Sequence, residues 1–393
     1  MMRRVDRLER IREDIVAGVR PLPSERVPYS EAARRWLAEP VVASRPVPPF
    51  TCSAMDGYAV RAAEAIGPAR FRLTRAVFAG EDPGVEVCPG EAVRIFTGAP
   101  LPPGADAVVR QEAVRETGGV VELHDPLRRG ENVRQAGEDL AVGDVALEPG
   151  TRLGGRQLAL LAAAGAGDVV VVRRPRVALI STGDEVVSRR TPNSNGAALQ
   201  EGLREIGAAI EAWEVGDDLE AVRASLERAL ERCDAVVTIG GVSVGARDHV
   251  TAAVELLGGE VHVHGVPMKP GKPFLFATTR TKPLFGLPGS PSACLVAFEV
   301  FVRPALSRLA GAAHPFRRRL MLPLAEATSG RAGRARFVWA RLEDDGRVRP
   351  IGRDAAQVKG PALADVLIWL REGVADLEQG ALVEAWLLGG DVA

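Results

Sequence analysis

The sequence predicts a multi-domain α/β protein: a parallel-sheet α/β domain joined to a helical linker domain, an inserted β-rich lobe and a C-terminal β domain. Three observations lead there. A chain of 393 residues is too long for one ordinary core, so two to four domains follow. Between 174 and 310, short apolar runs alternate with amphipathic helical runs, the pattern of a parallel sheet covered on both faces. On either side of that block, β-rich runs separated by Gly and Pro turns take over.

Residues 1–48 read as helical. Leu8, Ile11, Ile15 and Val19 recur at three- and four-residue steps, and a second helix runs from an N-cap at Ser30 to about Ala38, carrying Ala33 and Trp36-Leu37. Pro46, Pro48 and Pro49 end this part. Over 49–138, β runs at 71–77, 92–96, 107–110 and 120–123 alternate with turns such as Pro89-Gly90 and Pro102-Pro103-Gly104. This lobe is inserted into the first element, which resumes over 139–173 with a helix at 155–164. In the domain 174–312, strands fall at 177–180, 209–215, 235–239, 261–263, 274–277 and 284–287. Helices fall at 196–206, 219–232, 249–257 and 292–309. The tail, 313–393, returns to strands at 321–324, 337–342 and 381–388, a small separate barrel or sandwich.

Composition narrows the function. No apolar run approaches the roughly 20 residues a membrane span needs, and the first twenty residues lack a signal core, so a cytoplasmic protein is expected. A net charge of −1 argues against a nucleic-acid partner. Cys52, Cys88, Cys233 and Cys294 are too scattered for a zinc site or a disulfide framework. Lysine is the informative residue. Of 50 basic side chains only Lys269, Lys272, Lys282 and Lys359 are lysine, and three of these lie within fourteen residues. A chain that otherwise writes Arg keeps a compact ammonium where the broad guanidinium fork cannot serve.

Four loops at strand ends collect the chemistry. Ser181-Thr182-Gly183-Asp184-Glu185 follows the first strand of the α/β domain, and Gly216-Asp217-Asp218 follows the second; one Asp of that pair suits a helix N-cap. Gly240-Gly241-Val242-Ser243 through Asp248 follows the third. Its glycines let backbone N–H groups approach an oxyanion, although it is no Walker loop. Met268-Lys269-Pro270-Gly271-Lys272-Pro273 and Leu287-Pro288-Gly289-Ser290-Pro291-Ser292 form the fourth set, the latter opening a helix. Ligands of parallel sheets sit at the carboxyl ends of the strands. Carboxylates there repel an anionic substrate unless a divalent cation bridges them, a combination suited to phosphoanhydride chemistry.

These loops resemble the molybdopterin molybdenumtransferases, the family of MoeA and the gephyrin E domain. Pro49-Phe50-Thr51-Cys52-Ser53-Ala54-Met55-Asp56-Gly57-Tyr58-Ala59-Val60 looks like one signature of that family, and Arg94-Ile95-Phe96-Thr97-Gly98-Ala99 through Gly104-Ala105-Asp106-Ala107-Val108-Val109 like a second. Gly130-Glu131-Asn132-Val133-Arg134 with Gly137-Glu138-Asp139 looks like a third, and the strand-end loops, with Ser194-Asn195, match in order to about residue 310.

The resemblance implies a molybdopterin-binding α/β domain and a homodimer whose active site is shared, with the Asp56 lobe of one subunit facing the α/β cleft of the other. The implied reaction takes adenylylated molybdopterin and molybdate, releases AMP with Mg²⁺, and leaves the metal on the dithiolene. Asp217 and Asp248, with Glu185 nearby, would hold magnesium and the phosphoanhydride. Ser243, Lys269, Lys272 and Ser292 would bind oxyanion and phosphate, and Ser194, Asn195, Gly240, Gly241, Pro288 and Gly289 would line the substrate site. Asp56, Thr97 and Asp139 would complete it from the facing lobe. Contacts with molybdopterin adenylyltransferase and apo-molybdoenzymes are further implied partners.

The chain also departs from the family. Ser290 stands where Asn is common, and Cys52 where a polar residue is usual. In the tail, Arg336 and Trp339 replace an acid and a base, and Val358-Lys359-Gly360 replaces a Gly-Ser in a region linked to molybdate binding. Alternatives to insertion of molybdate are a paralogue that binds the pterin nucleotide or inserts tungstate, a gephyrin-like scaffold, and an adenylyltransferase. The strand-end carboxylates and lysines favour an enzyme over a scaffold, and the Asp56 lobe argues against the adenylyltransferase.

Overall fold

The central sheet of the α/β domain has the strand order Ala209–Val215, Arg176–Thr182, Ala235–Ile239, Lys282–Leu287, Leu275–Thr279, Glu260–His264. The computed structural model describes residues 6–84, 86–242, 249–330, 333–352 and 356–389. The first four strands are parallel, and Ala235–Ile239 is buried along its whole length, as a strand covered on both faces must be. The expectation of a wholly parallel sheet is corrected at Leu275–Thr279, which pairs antiparallel with both neighbours. Only Arg280 and Thr281, both with positive φ, separate it from Lys282–Leu287. Two residues suffice for a hairpin and cannot make a crossover.

The expected helix from Ser30 to Ala38 is also corrected. One 3₁₀ turn, Tyr29–Glu31, forms, and Arg34 then takes a left-handed conformation at φ 62°. Beyond it the chain is extended: Trp36 bridges Arg152, Leu37 bridges Val171, and Val172 N–H donates to the Trp36 carbonyl at 2.9 Å. The antiparallel pair Ser24–Pro28 with Asp168–Val172 offers an open edge there. Long-range pairing outcompetes the local helical preference.

The inserted lobe is a six-stranded sheet ordered Ala107–Arg110, Gly57–Val60, Glu91–Ile95, Ala69–Val77, Val120–Leu123, Val114–Thr117. The C-terminal sheet runs Met268–Lys269, Ala335–Leu342, Val366–Leu370, Leu382–Leu387, Arg319–Pro323. It is less separate than the tail pattern suggests. Its outermost strand is borrowed from the α/β domain, and one apolar core joins Leu8, Ile15 and Trp36 to Phe298 and Phe301 and on to Phe337, Trp369 and Trp386.

The helix expected over 292–309 is one rod of three pieces: Pro291–Ala297, a π turn over Phe298–Val302, and Arg303–Leu309. Pro304 has no N–H for the carbonyl four residues back, that of Val300, which accounts for the irregular turn. Arg12, from the N-terminal helix Arg7–Gly18, donates to that carbonyl through Nε at 3.1 Å. Its guanidinium is caged by aromatic rings, 4.1 Å from Phe316 and 4.4 Å from Trp386. Among the described residues, no helix is long and apolar enough to cross a membrane.

Candidate active site

Parallel strands place their carboxyl ends on one edge of the sheet, and the four parallel strands here end in Thr182, Val215, Ile239 and Leu287. Main-chain bonds tie the loops that follow into a single rim. Gly183 N–H donates to the Val215 carbonyl at 3.0 Å, and Gly240 N–H to the Leu287 carbonyl at 2.8 Å. Thr182 Oγ1 donates to the Ile239 carbonyl at 3.2 Å.

Across the first two loops, Asp217 N–H donates to Asp184 Oδ1 at 3.1 Å, and Asp184 N–H lies 3.5 Å from Asp217 Oδ2. Each carboxylate is therefore held by the other loop's backbone. In the sequence Asp184, an Asp after Gly, reads only as a turn residue; its place in the rim depends on the second loop. Glu185 is exposed beside it in the short helix Asp184–Val187. Among the described residues, no three His, Cys, Asp or Glu side chains cluster as a metal cage. Mg²⁺ is commonly held by one or two carboxylates together with substrate phosphates, and the Asp184–Asp217 pair fits that donor set.

Gly240 and Gly241 both have positive φ, at 86° and 66°. A Cβ on Gly240 would stand 2.7 Å from Thr182 Oγ1, and one on Gly241 would stand 2.9 Å from Val250, so neither position accepts a side chain. Ser243 and Asp248, expected next along this loop, lie outside the described residues.

Two of the chain's three asparagines fasten the next wall. Asn193 caps the helix Ser194–Ile206 by accepting from Gly196 N–H at 2.8 Å. Its Nδ2 donates to Ser181 Oγ at 3.0 Å and to Glu214 Oε1 at 2.9 Å. Asn195 Nδ2 donates to the Gly289 carbonyl at 2.7 Å. Ser194, Asn195, Pro288 and Gly289 are thus brought together, with Pro288 buried and Gly289 exposed beside Gly240.

Lys269 and Lys272 are both exposed, on the loop that leaves the short strand Met268–Lys269. Lys282 belongs elsewhere. Its Nζ donates to the Leu230 carbonyl, in the last turn of the helix Leu219–Arg232, so it serves as a helix C-terminal cation. Ser292 does not turn its side chain toward the rim. It is 2% exposed, and its Oγ accepts from the Trp339 indole N–H at 2.8 Å. The departure noted at Trp339 therefore has a partner, invisible in sequence because 47 residues separate the two.

In the lobe, Asp56 Oδ1 accepts from both the N–H and the Oγ1 of Thr97, each at 2.8 Å. These bonds hold the carboxyl below its ordinary value, with nearby Arg94 adding to the effect. Arg134 donates to Asp139 Oδ2 at 2.8 Å. Among the described residues, no hydrogen bond or ion pair links Asp56, Thr97 or Asp139 to the strand-end rim of the same chain.

Comparison with known proteins agrees with this geometry along the whole chain. Residues 6–165 match the MoeA N-terminal region (domain I and II), 178–308 a probable molybdopterin binding domain, and 321–388 the MoeA C-terminal region (domain IV). Molybdopterin molybdenumtransferase 2 of Mycobacterium tuberculosis is 34% identical, covering 98% of this chain and 99% of its own. The molybdopterin molybdenumtransferase of Bacillus subtilis is 38% identical over 72% of this chain and 70% of its own. A crystal structure of the molybdopterin biosynthesis MoeA protein from Pyrococcus horikoshii OT3 superposes with a TM-score of 0.80 at 26% identity, covering 97% and 99% of the two chains. A second MoeA structure, also from Pyrococcus horikoshii, gives 0.74 at 34% identity, covering 98% and 99%. With relatives this similar over nearly its full length, the chain belongs to the molybdopterin molybdenumtransferase (MoeA) family.

Proposed function

We propose that this chain is a molybdopterin molybdenumtransferase that inserts molybdate into adenylylated molybdopterin and releases AMP with the help of Mg²⁺. The observation that carries the reading is the rim itself. Asp184 and Asp217, Gly240-Gly241 and Gly289 meet at the carboxyl ends of four parallel strands, in a chain alike from end to end to proteins named for this transfer.

Asp217 and Asp184 would hold Mg²⁺ together with the substrate's phosphates, with Asp248 as a further ligand and Glu185 nearby, and the bound ion would neutralise phosphoanhydride oxygens and the charge on departing AMP. The Gly240 N–H is taken by the Leu287 carbonyl, so of the paired glycines it is Gly241 that would offer a backbone N–H to the substrate's anionic oxygens. Lys269 and Lys272 supply compact positive charge for oxyanion and phosphate. The Ser292 side chain is occupied by Trp339, so this residue would contribute only its backbone.

The same reading makes the enzyme a cytoplasmic homodimer. Among the described residues, Asp56 and Thr97 in the lobe and Asp139 just after it have no hydrogen bond or ion pair to the rim of their own chain, which supports a site completed by the second subunit. The division into 1–48 with 139–173, 49–138, 174–312 and 313–393 belongs to this proposal and is supported by the three sheets. Incubation of the purified protein with adenylylated molybdopterin, Mg²⁺ and molybdate should release AMP and form the metallated cofactor. A parallel reaction with tungstate measures oxyanion preference. Absence of AMP release under these conditions would sink the assignment.

A further inference from the structure

The lobe carries an aromatic pair that its own folding does not require. Phe78 and Phe96 stack with ring centroids 4.6 Å apart and planes inclined by 9°. The other near-parallel aromatic pairs among the described residues, Phe274 with Phe301 and Phe337 with Trp369, lie in the shared core, where burial explains them. Phe78 is 49% exposed, and only Phe50 among the other described aromatic residues is comparably open. The buried half of that ring packs in the fold, but the half left in water gains nothing there.

Strand register places this pair beside the catalytic candidates of the lobe. Ile95 pairs with Val77 on one side and Gly57 on the other. One step further along, Phe96 therefore stands between Phe78 and Asp56, and Thr97, next in the chain, donates twice to Asp56. The platform is braced. Phe78 N–H donates to Glu81 Oε2 at 3.1 Å, and Glu81 N–H returns a bond to the Phe78 carbonyl at 3.1 Å. On the Phe96 side, the Arg94 guanidinium lies 5.5 Å from the ring centroid and donates to Tyr58 Oη at 2.7 Å. A cation near one end of a stack and an open ring at the other is an arrangement that receives a planar π system.

We propose that the half-exposed ring of Phe78, backed by Phe96, is a stacking platform for a planar heteroaromatic ring of the substrate. The inference rests on the functional reading above, which supplies two such rings, the pterin and the adenine. It deepens that reading by giving the lobe a recognition role beside the Asp56 carboxylate.

The test titrates the full chain with two probes, AMP and a free pterin, using wild type, Phe78→Ala, Phe78→Leu and Phe78→Tyr. Whichever probe rests on the platform should bind wild type and Phe78→Tyr alike, and should bind Phe78→Ala and Phe78→Leu roughly tenfold more weakly, the scale of one lost ring stack. Leucine is the discriminating variant, since it restores apolar bulk without a π face. The probe that loses affinity identifies the ring. Equal affinities across all four proteins, retention by Phe78→Leu, loss in Phe78→Tyr, no binding of either probe to wild type, or a change only in oligomeric state would each overturn the platform. These titrations need no turnover, so a wild type that releases no AMP would sink the proposed reaction while the platform is still judged on binding.

Discussion

Thr97 gives Asp56 both of its donors, the backbone N–H and the hydroxyl, converging at 2.8 Å on one carboxylate oxygen. Both bonds favour the ionised form, so the carboxyl titrates below its ordinary range. If the reaction needs the carboxylate, activity should fall on the acid side as Asp56 takes up a proton. Thr97→Val removes one donor, raises the carboxyl pKa and moves that acid limb to higher pH, while Thr97→Ser leaves it in place. A pH profile of kcat/KM decides the matter, and an unmoved limb in Thr97→Val would show that the hydroxyl does not tune the charge.

The proposed shared site can be tested by complementation. Asp56→Asn and Asp217→Asn homodimers should both be inactive. Purified heterodimer should recover about half the wild-type rate, and an equal mixture after random exchange about a quarter, because each heterodimer contains one intact pairing of lobe and rim. Verified subunit exchange with no recovery would place both carboxylates in one chain's site.

The Ser292–Trp339 bond separates a structural from a substrate-binding hydroxyl. Ser292→Ala leaves a buried indole N–H unpaired and should cost about 1–3 kcal/mol of stability. Trp339→Phe should be similarly harmful, and the double variant less so than the sum. A Ser292→Ala enzyme with unchanged stability but weakened molybdate use would return the hydroxyl to the substrate.

Acid stability should depend on Glu9. Partial burial works to raise its pKa, but hydrogen bonds and charge from Arg371 and Arg319 prevail and bring it from 4.5 down to about 2. Because the folded value lies below the unfolded one, the stabilisation is present above pH 4.5 and is lost as pH falls toward 2. Glu9→Gln should lower stability near neutrality by about 1–2 kcal/mol after solvent screening, and flatten the acid limb. Urea midpoints of both proteins across the acid range would reveal it, and parallel curves would rule it out.

Much of this was legible in the sequence where the signal was local. Asp184 to Glu185, Gly240-Gly241 and Pro288-Gly289 each follow an apolar run at the right spacing, so strand ends could be read directly. What escaped depends on distant partners. Trp36 and Leu37 look helical by spacing until Arg152 and Val171 offer them a β edge. Lys282 looks like part of a lysine cluster until its strand carries it to Leu230. The role of Asn193 was hidden because Ser181 and Glu214 meet only once two strands lie side by side.

The bond from Arg12 to the Val300 carbonyl has a consequence for how the protein is made. Arg12 leaves the ribosome early, whereas Trp369 and Trp386, which enclose it with Phe316, follow about 370 residues later. At ordinary rates of synthesis that interval is roughly 20 to 75 seconds, far longer than a helix takes to form. During it, the apolar face of Arg7–Gly18 has no finished surface to dock on. Ribosome-stalled chains ending before Trp369 should therefore leave that helix open to protease and holdase chaperones, and full-length chains should protect it.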